Sequence, residues 1–139
     1  MEGGQPIRVL VVDDHQIFTH ALTAVLEQDE RFDVVGTAAT GREAVRVARE
    51  TEADVVLMDM SMPVQDGPAA TRKLVALAHA PRVIALSGHT DSLSRTAALD
   101  AGAVAFVNKS EAFDELVETI LEVVADRTGG YPPSAAPID

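Results

Sequence analysis

The chain has 139 residues, of which 47% are apolar and 24% are charged, and this fits one globular domain of ordinary size. Acidic residues outnumber basic ones by 22 to 11, and the formal net charge of −11 disfavours sequence-independent binding to nucleic-acid phosphates or to anionic membranes. There is no cysteine, which excludes disulfides, thiolate zinc sites and cysteine nucleophiles. We therefore expect a soluble, cytoplasmic protein that does not associate with membranes.

Five short apolar runs predict β-strands. Most are rich in Val or Ile, and their nearly continuous apolar character is typical of parallel strands that are buried on both faces. They lie at Ile7–Val12, 33–38, 54–58, 82–86 and 104–107. Segments with helical spacing of apolar residues alternate with them, at about 17–26, 40–50, 66–78, 91–101 and from 110 onward. This alternation predicts an α/β fold in which five helices flank a doubly wound, five-stranded parallel sheet.

Local features predict where some of the helices begin and end. Thr40 and Glu43 have the spacing of a capping box, Gly102 is suited to follow the end of a helix, and Ser110 is suited to begin one. Residues 1–127 are predicted to form the domain. Residues 128–139 are rich in Gly and Pro and are predicted to be a flexible linker or tail.

Polar residues follow the apolar runs at four points. Asp13 and Asp14 follow the first predicted strand, Asp59 the third, Ser87 the fourth, and Lys109 comes after the fifth. Functional groups of doubly wound sheets gather at the carboxyl ends of the strands. We therefore expect these side chains to converge at one edge.

Three neighbouring carboxylates repel one another unless a cation lies between them. An oxygen-rich set without cysteine suits Mg²⁺, while a lysine and a hydroxyl suit an incoming phosphoryl group. Asp59, on the central strand, is the best candidate for a nucleophile that forms an aspartyl phosphate. Taken alone, the acidic pair could equally cap the following helix, and the serine and the lysine could be a turn residue and a surface residue. The conjunction at four strand ends favours the phosphoryl hypothesis.

The chain resembles the receiver domains of bacterial two-component response regulators over about residues 7–127. The resemblance rests on VLVVDDH (9–15), DVVLMDMSMPVQDG (54–67), VIALSG (83–88) and AGAVAFVNKS (101–110). It implies a flavodoxin-like or CheY-like sheet with the strand order 2-1-3-4-5. The DDH motif and the Lys-Ser pair at 109–110 resemble the NarL/FixJ type in particular.

The resemblance also implies roles for single residues. Asp59 would be the phosphoacceptor, Asp14 and Asp59 would bind Mg²⁺ directly, Asp13 would bind it mainly through water, and the backbone carbonyl of Ser61 would be a further ligand. Lys109 would pair with a phosphoryl oxygen.

Ser87 and Phe106 would form the switch: Ser87 would move towards the phosphoryl group and the aromatic ring would turn inward. Tyr is frequent in the family at the position of Phe106, so a switch here would lack the phenol hydrogen bond. Ser61 and His89 lie where the family modulates the lifetime of the phosphorylated form.

The resemblance further implies partners. A histidine kinase or a small phosphodonor would supply the phosphoryl group. The surface formed by the fourth helix, fifth strand and fifth helix would change, and a homodimer could form there or through the first and fifth helices. DNA would be bound only by a separate output domain. The protein would assist its own phosphorylation and dephosphorylation without being an enzyme for an external substrate.

Two alternatives stay open. The first is a degenerate receiver that acts as an interaction module without phosphorylation. The second is an aspartate-based phosphohydrolase, although the haloacid-dehalogenase type needs a second Asp two residues after the nucleophile, where this chain has Ser61.

Overall fold

The fold is described by a computed structural model that covers residues 5–62, 66–88 and 92–125. In these ranges strands and helices alternate along the chain, and a 3-10 turn at Lys109–Glu111 precedes the last helix. The strands are β1 (Ile7–Val12), β2 (Phe32–Ala38), β3 (Val55–Asp59), β4 (Arg82–Ser87) and β5 (Ala105–Asn108). The helices are α1 (Gln16–Glu27), α2 (Gly41–Thr51), α3 (Asp66–Val75), α4 (Ser92–Ala101) and α5 (Ala112–Ala125).

The strands form one parallel sheet in the order β2-β1-β3-β4-β5. The predicted fold class and strand order are therefore confirmed. Strand β2 lies on one side of β1, and β3 to β5 follow on the other side, so the order of the strands reverses between β1 and β3. These two strands are neighbours, and Val11 pairs with Leu57. Adjacent strands with this reversal leave a crevice at their carboxyl ends, which is where open α/β sheets bind ligands.

Two apolar layers cover the two faces of the sheet, because successive side chains of each strand point to opposite faces. On one face Val9, Leu57 and Ile84 pack with residues of α1 and α5 such as Leu22 and Leu116. On the other face the residues contributed by α2, α3 and α4 are mostly alanines, and Leu74 is the large exception. These residues are Ala44, Ala48, Ala70, Leu74 and Ala98. Small side chains let these three helices lie close to the sheet.

Two of the predicted helix ends are present. The Thr40 hydroxyl accepts a hydrogen bond from the Glu43 N–H at 3.1 Å, and the Glu43 carboxylate accepts one at 3.0 Å from the N–H of Ala39, the residue before the N-cap, which is a variant of the capping box. Gly102 follows α4 with φ +118°, a conformation that favours glycine. Helix α2 ends less favourably, because the residue that follows it, Glu52, has φ +53°, a left-handed conformation that favours glycine.

Other boundaries differ from the prediction. Helix α3 ends at Val75 rather than near 78, because the N–H groups of Ala76 and Leu77 donate to carbonyls only three residues back and tighten the last turn. The element after β5 begins at Lys109, and Asn108 caps it by accepting a hydrogen bond from the Ser110 N–H at 2.8 Å. The predicted linker at 128–139 lies outside the described residues. No helix in the described ranges combines the length and apolar character needed to cross a bilayer.

Candidate functional site

The carboxyl edge of the sheet brings together the polar residues predicted from the strand ends. Asp13 and Asp14 directly follow β1, Asp59 and Ser87 are the last residues of β3 and β4, and Lys109 directly follows β5. Asp13, Asp59 and Ser87 are buried, whereas Asp14 is exposed at the mouth of the crevice. The site thus combines buried carboxylates with one carboxylate that is open to solvent.

Asp59 has no exposed surface, yet its two oxygens differ. Its Oδ1 accepts a hydrogen bond from the Ser61 N–H at 2.9 Å. Its Oδ2 accepts no hydrogen bond from any residue in the described ranges. A buried polar atom without a hydrogen-bond partner is costly and calls for an explanation, such as a catalytic role or a bound ion. Asp59 Oδ2 therefore has lone pairs available for a ligand or for nucleophilic attack.

Gly67 allows helix α3 to lie against the end of β3. A Cβ atom at this position would lie 2.8 Å from the backbone oxygen of Asp59 and 2.9 Å from the Cα of Met60. Backbone atoms this close cannot yield without moving the strand. The glycine therefore helps to fix the backbone that carries the Asp59 carboxylate, and no sequence pattern indicates this contact.

Lys109 reaches back over the edge of the sheet to the two buried carboxylates. Its Nζ lies 2.6 Å from Asp13 Oδ2 and 3.7 Å from Asp59 Oδ2, and its side chain is only 17% exposed. The ammonium also lies over the ring of Phe18, 4.5 Å from its centroid, which is a cation–π contact. Phe18 in turn packs edge-to-face on Phe113 of α5. Phe18 lies in the segment 17–26 with helical spacing of apolar residues, and that pattern does not predict its contact with the lysine.

The pKa values of the two buried carboxyls shift in opposite directions. Burial raises the pKa of Asp13, but the Lys109 ammonium and the His15 N–H outweigh it, and the pKa is lowered overall. Burial and the nearby charge of Asp13 raise the pKa of Asp59, and Lys109 and the Ser61 N–H only partly offset this. The lysine therefore stabilises the charge of Asp13 more than that of Asp59, and Asp59 is the more basic carboxylate.

The acidic pair does not cap helix α1. The N-cap residue is His15, whose side chain makes no capping hydrogen bond, and Asp13 Oδ1 accepts the His15 N–H at 2.8 Å in the turn before the helix. Four side chains instead each offer one ligand atom within 4.8 Å of one another, namely Asp13, Asp14, His15 and Asp59. This donor set, with an Asp59 Oδ2 that accepts no hydrogen bond from the described residues, fits a divalent cation that neutralises clustered carboxylates.

Ser87 and Phe106 lie on the α2–α3–α4 face of the sheet. Ala85 of β4 pairs with Phe106 of β5, and Ser87 lies two residues further along β4, so that it points to the same face as Ala85. Phe106 is half-buried against the apolar layer of that face. The Arg95 guanidinium of α4 lies over its ring, 5.6 Å from the centroid. This contact connects β5 to helix α4.

The remaining predicted site residues are Ser61 and His89. Ser61 is exposed beside the crevice, and its N–H holds Asp59 as described above. His89 lies outside the described residues.

Comparison with known proteins agrees with this geometry. A family model for the response regulator receiver domain matches residues 9–121. The response regulator UvrY of Escherichia coli K12 is 38% identical over 117 residues, which are 84% of this chain and 54% of UvrY. A protein-glutamate methylesterase/protein-glutamine glutaminase of Vibrio parahaemolyticus is 34% identical over 141 residues, which cover 94% of this chain and 38% of that protein.

The fold has a close counterpart among solved structures. The signal receiver domain of the response regulator NarL from Mycobacterium tuberculosis superposes with a TM-score of 0.82 at 29% sequence identity, over 89% of this chain and all of that one. The chain spans about half the length of UvrY. With a receiver family model matching most of its length, the chain belongs to the response regulator receiver domains.

Proposed function

We propose that the chain is a Mg²⁺-dependent phosphoacceptor switch in which Asp59 receives a phosphoryl group from a histidine kinase or a small phosphodonor. The observation that carries the proposal is the environment of Asp59. Its carboxylate is fully buried, and its Oδ2 has no hydrogen bond from the described residues but lies 3.7 Å from the Lys109 ammonium. A structural carboxylate would be expected to use both oxygens in hydrogen bonds.

The chemistry follows from the basicity of Asp59. A carboxylate whose pKa is raised by burial and by Asp13 is a stronger nucleophile than a solvated one. An Asp59 oxygen attacks phosphorus, the bond from phosphorus to the donor's nitrogen or oxygen breaks, and its electron pair leaves with the donor. The product is an acyl phosphate on Asp59. Lys109 is positioned to pair with the added negative charge, and Ser87 would donate its hydroxyl hydrogen to a phosphoryl oxygen.

Asp13, Asp14 and Asp59 would hold the Mg²⁺, together with the backbone carbonyl of Ser61. Their ligand atoms are already close, and their charges repel in the absence of a cation. When bound, the ion supplies charge neutralisation at the carboxylates and at the phosphoryl oxygens. Asp14 is exposed, so the ion has access to the site from solvent.

The output of the switch would be the surface formed by α4, β5 and α5. Phe106 belongs to this surface and contacts Arg95 of α4, so a movement of Ser87 that opens space beneath β5 would alter that contact. The family's two-state behaviour would then bias homodimerisation, either here or through α1 and α5. UvrY and this chain match over only half of UvrY, so a separate DNA-binding output domain is part of the proposal, as is a cytoplasmic location.

The chain would not act as an enzyme on an external substrate. Ser61 stands two residues after Asp59, where a phosphohydrolase of the haloacid-dehalogenase type carries its acidic proton donor. Ser61 and His89 would instead affect how long the acyl phosphate persists.

The test is the intact mass of the folded protein after incubation with acetyl phosphate. We expect a single phosphoryl adduct on the wild type and on Asp100→Asn, an exposed control, and none on Asp59→Asn or when Mg²⁺ is chelated. An adduct on Asp59→Asn would overturn the choice of nucleophile. If the wild type acquires no adduct and also binds no beryllofluoride, the proposal is wrong and the degenerate interaction module replaces it.

A further inference from the structure

Asp13, Asp14, His15 and Asp59 are the four described side chains that could share a metal ion, and the proposed phosphoacceptor chemistry gives no role to His15. Its Nδ1 lies 3.1 Å from Asp13 Oδ1 and 3.3 Å from Asp14 Oδ1, although its side chain is 69% exposed. Its Nδ1 therefore faces the two carboxylates, while most of the ring is in contact with solvent. The question is whether its nitrogen serves only as a hydrogen-bond donor or also as a metal ligand.

An acidic cluster is not by itself a metal site, and a second feature points to a ligand here. Asp59 is completely buried, and its Oδ2 has no hydrogen-bond partner among the described residues. One oxygen or nitrogen from each of Asp13, Asp14, His15 and Asp59 lies within 4.8 Å of the others. Asp59 thus belongs to the same group of potential ligands as the imidazole.

The distances around His15 match those between ligands that share one ion. Two neighbouring ligands in an octahedral site with bonds of about 2.1 Å are separated by roughly 3.0 Å, and opposite ligands by roughly 4.2 Å. The His15 nitrogen is 3.1 Å and 3.3 Å from the two carboxylate oxygens. A small adjustment of an exposed side chain would place all three atoms on one ion.

The donor type decides which ions would gain from this geometry. Mg²⁺ prefers oxygen ligands and water, whereas imidazole nitrogen suits the divalent transition metals. We propose that His15 Nδ1 becomes a ligand when Mn²⁺ or Co²⁺ enters this site, so that the three carboxylates and the imidazole form a mixed nitrogen and oxygen site for transition metals. The inference rests on the proposed function, because it uses the same cation site.

The decisive variant is His15→Asn. Asparagine keeps an N–H donor close to the position of Nδ1, so it preserves a hydrogen bond to the carboxylates while removing the imidazole nitrogen. The matched control is His79→Asn. His79 lies at the amino ends of the strands, where its Nε2 is 3.7 Å from Asp54 Oδ1. Both histidines are largely exposed, so neither substitution is expected to disturb folding.

Calorimetric titrations of the metal-free proteins with Mg²⁺, Mn²⁺ and Co²⁺ give the affinities. We expect His15→Asn to weaken binding of Mn²⁺ and Co²⁺ by on the order of tenfold and that of Mg²⁺ by no more than about twofold, while His79→Asn changes none of them. Pulsed electron paramagnetic resonance of the Mn²⁺-bound protein should detect a coupled imidazole nitrogen in the wild type and in His79→Asn, but not in His15→Asn.

The outcomes separate the two proposals. If Mg²⁺ binds the wild type but no nitrogen coupling appears, or if His15→Asn lowers all three affinities equally, His15 is only a hydrogen-bond donor and this inference fails while the proposed function stands. If none of the three ions binds the wild type, the cation site of the proposed function fails as well.

Discussion

Replacing Asp59 by Asn should stabilise the metal-free protein, although it removes the central residue of the site. The side chain is fully buried and keeps nearly the same shape, and the amide oxygen can still accept the Ser61 N–H that Oδ1 accepts now. What changes is the charge. When a residue that is retained for function at the expense of folding is replaced, the free energy of unfolding should rise. When a residue that is retained for structure is replaced, it should not.

The magnitude follows from the distances. At an effective dielectric constant of about 20, the Lys109 ammonium 3.7 Å from the Asp59 carboxylate attracts it by about 4.5 kcal/mol. The ligand atoms of Asp13 and Asp59 lie no more than 4.8 Å apart, so the two carboxylates repel by at least about 3.5 kcal/mol, which offsets most or all of that attraction. The desolvation of a buried ion, several kcal/mol in real proteins, is left over. We therefore expect Asp59→Asn to raise the free energy of unfolding by roughly 1–3 kcal/mol.

Urea denaturation in the presence of a chelator measures this difference, with Asp100→Asn as a control for the net charge of the chain. The pKa of Asp59 is raised in the folded state, so its charge destabilises the fold above that pKa and the penalty is relieved as the pH falls through it. The advantage of Asp59→Asn should therefore be largest above the raised pKa of Asp59 and disappear below 3.8, the ordinary value for the unfolded chain. An unchanged or lower stability of Asp59→Asn at neutral pH would refute the reasoning.

Three further substitutions test the site and the fold. Lys109→Met leaves Asp13 without its ammonium partner at 2.6 Å and should lower the free energy of unfolding by about 3–5 kcal/mol in urea melts at neutral pH. The pKa of Asp13 is lowered in the folded state, so its ionised form stabilises the fold above the ordinary pKa of 3.8, and this stabilisation disappears as the pH falls through the folded pKa. The destabilisation caused by Lys109→Met should therefore shrink in acid. A destabilisation that does not depend on pH would contradict this prediction. Glu52→Gly, at φ +53°, should raise the melting temperature through a gain of about 0.5–1 kcal/mol, whereas Gly102→Ala, at φ +118°, should lower it.

The sheet was predictable because its signal is local and repeated. Buried strands such as β1 and β3 are short apolar runs rich in β-branched residues, and the alternation with helices leaves few topologies. Boundaries were less predictable where hydrogen bonds beyond the pattern decide them. The apolar pattern continues past Val75, but the i→i−3 hydrogen bonds of the last turn end α3 there. Asn108 caps the turn after β5, although Ser110 has equally suitable chemistry.

The convergence of Asp13, Asp59 and Lys109 was predictable from the rule that carboxyl ends of parallel strands meet. The contact of Phe18 with Lys109 was not, because it depends on how helix α1 is rotated about its axis and on the path of a flexible lysine side chain. The contact of Gly67 with the backbone of Asp59 likewise needs the distance between α3 and β3. Strand patterns carry no information on either quantity.

The order of synthesis gives the position of Lys109 a further consequence. All three carboxylates lie within the first 59 residues, whereas the lysine that neutralises two of them follows the last strand, at the edge of the sheet. A nascent chain in which β1 and β3 have emerged from the ribosome can pair them only by bringing Asp13 and Asp59 together without their cation. We expect stable pairing of these strands to be delayed until residues beyond 109 are available, so that the domain folds as one cooperative unit. Fragments that end before β5 should therefore remain targets for chaperones and proteases.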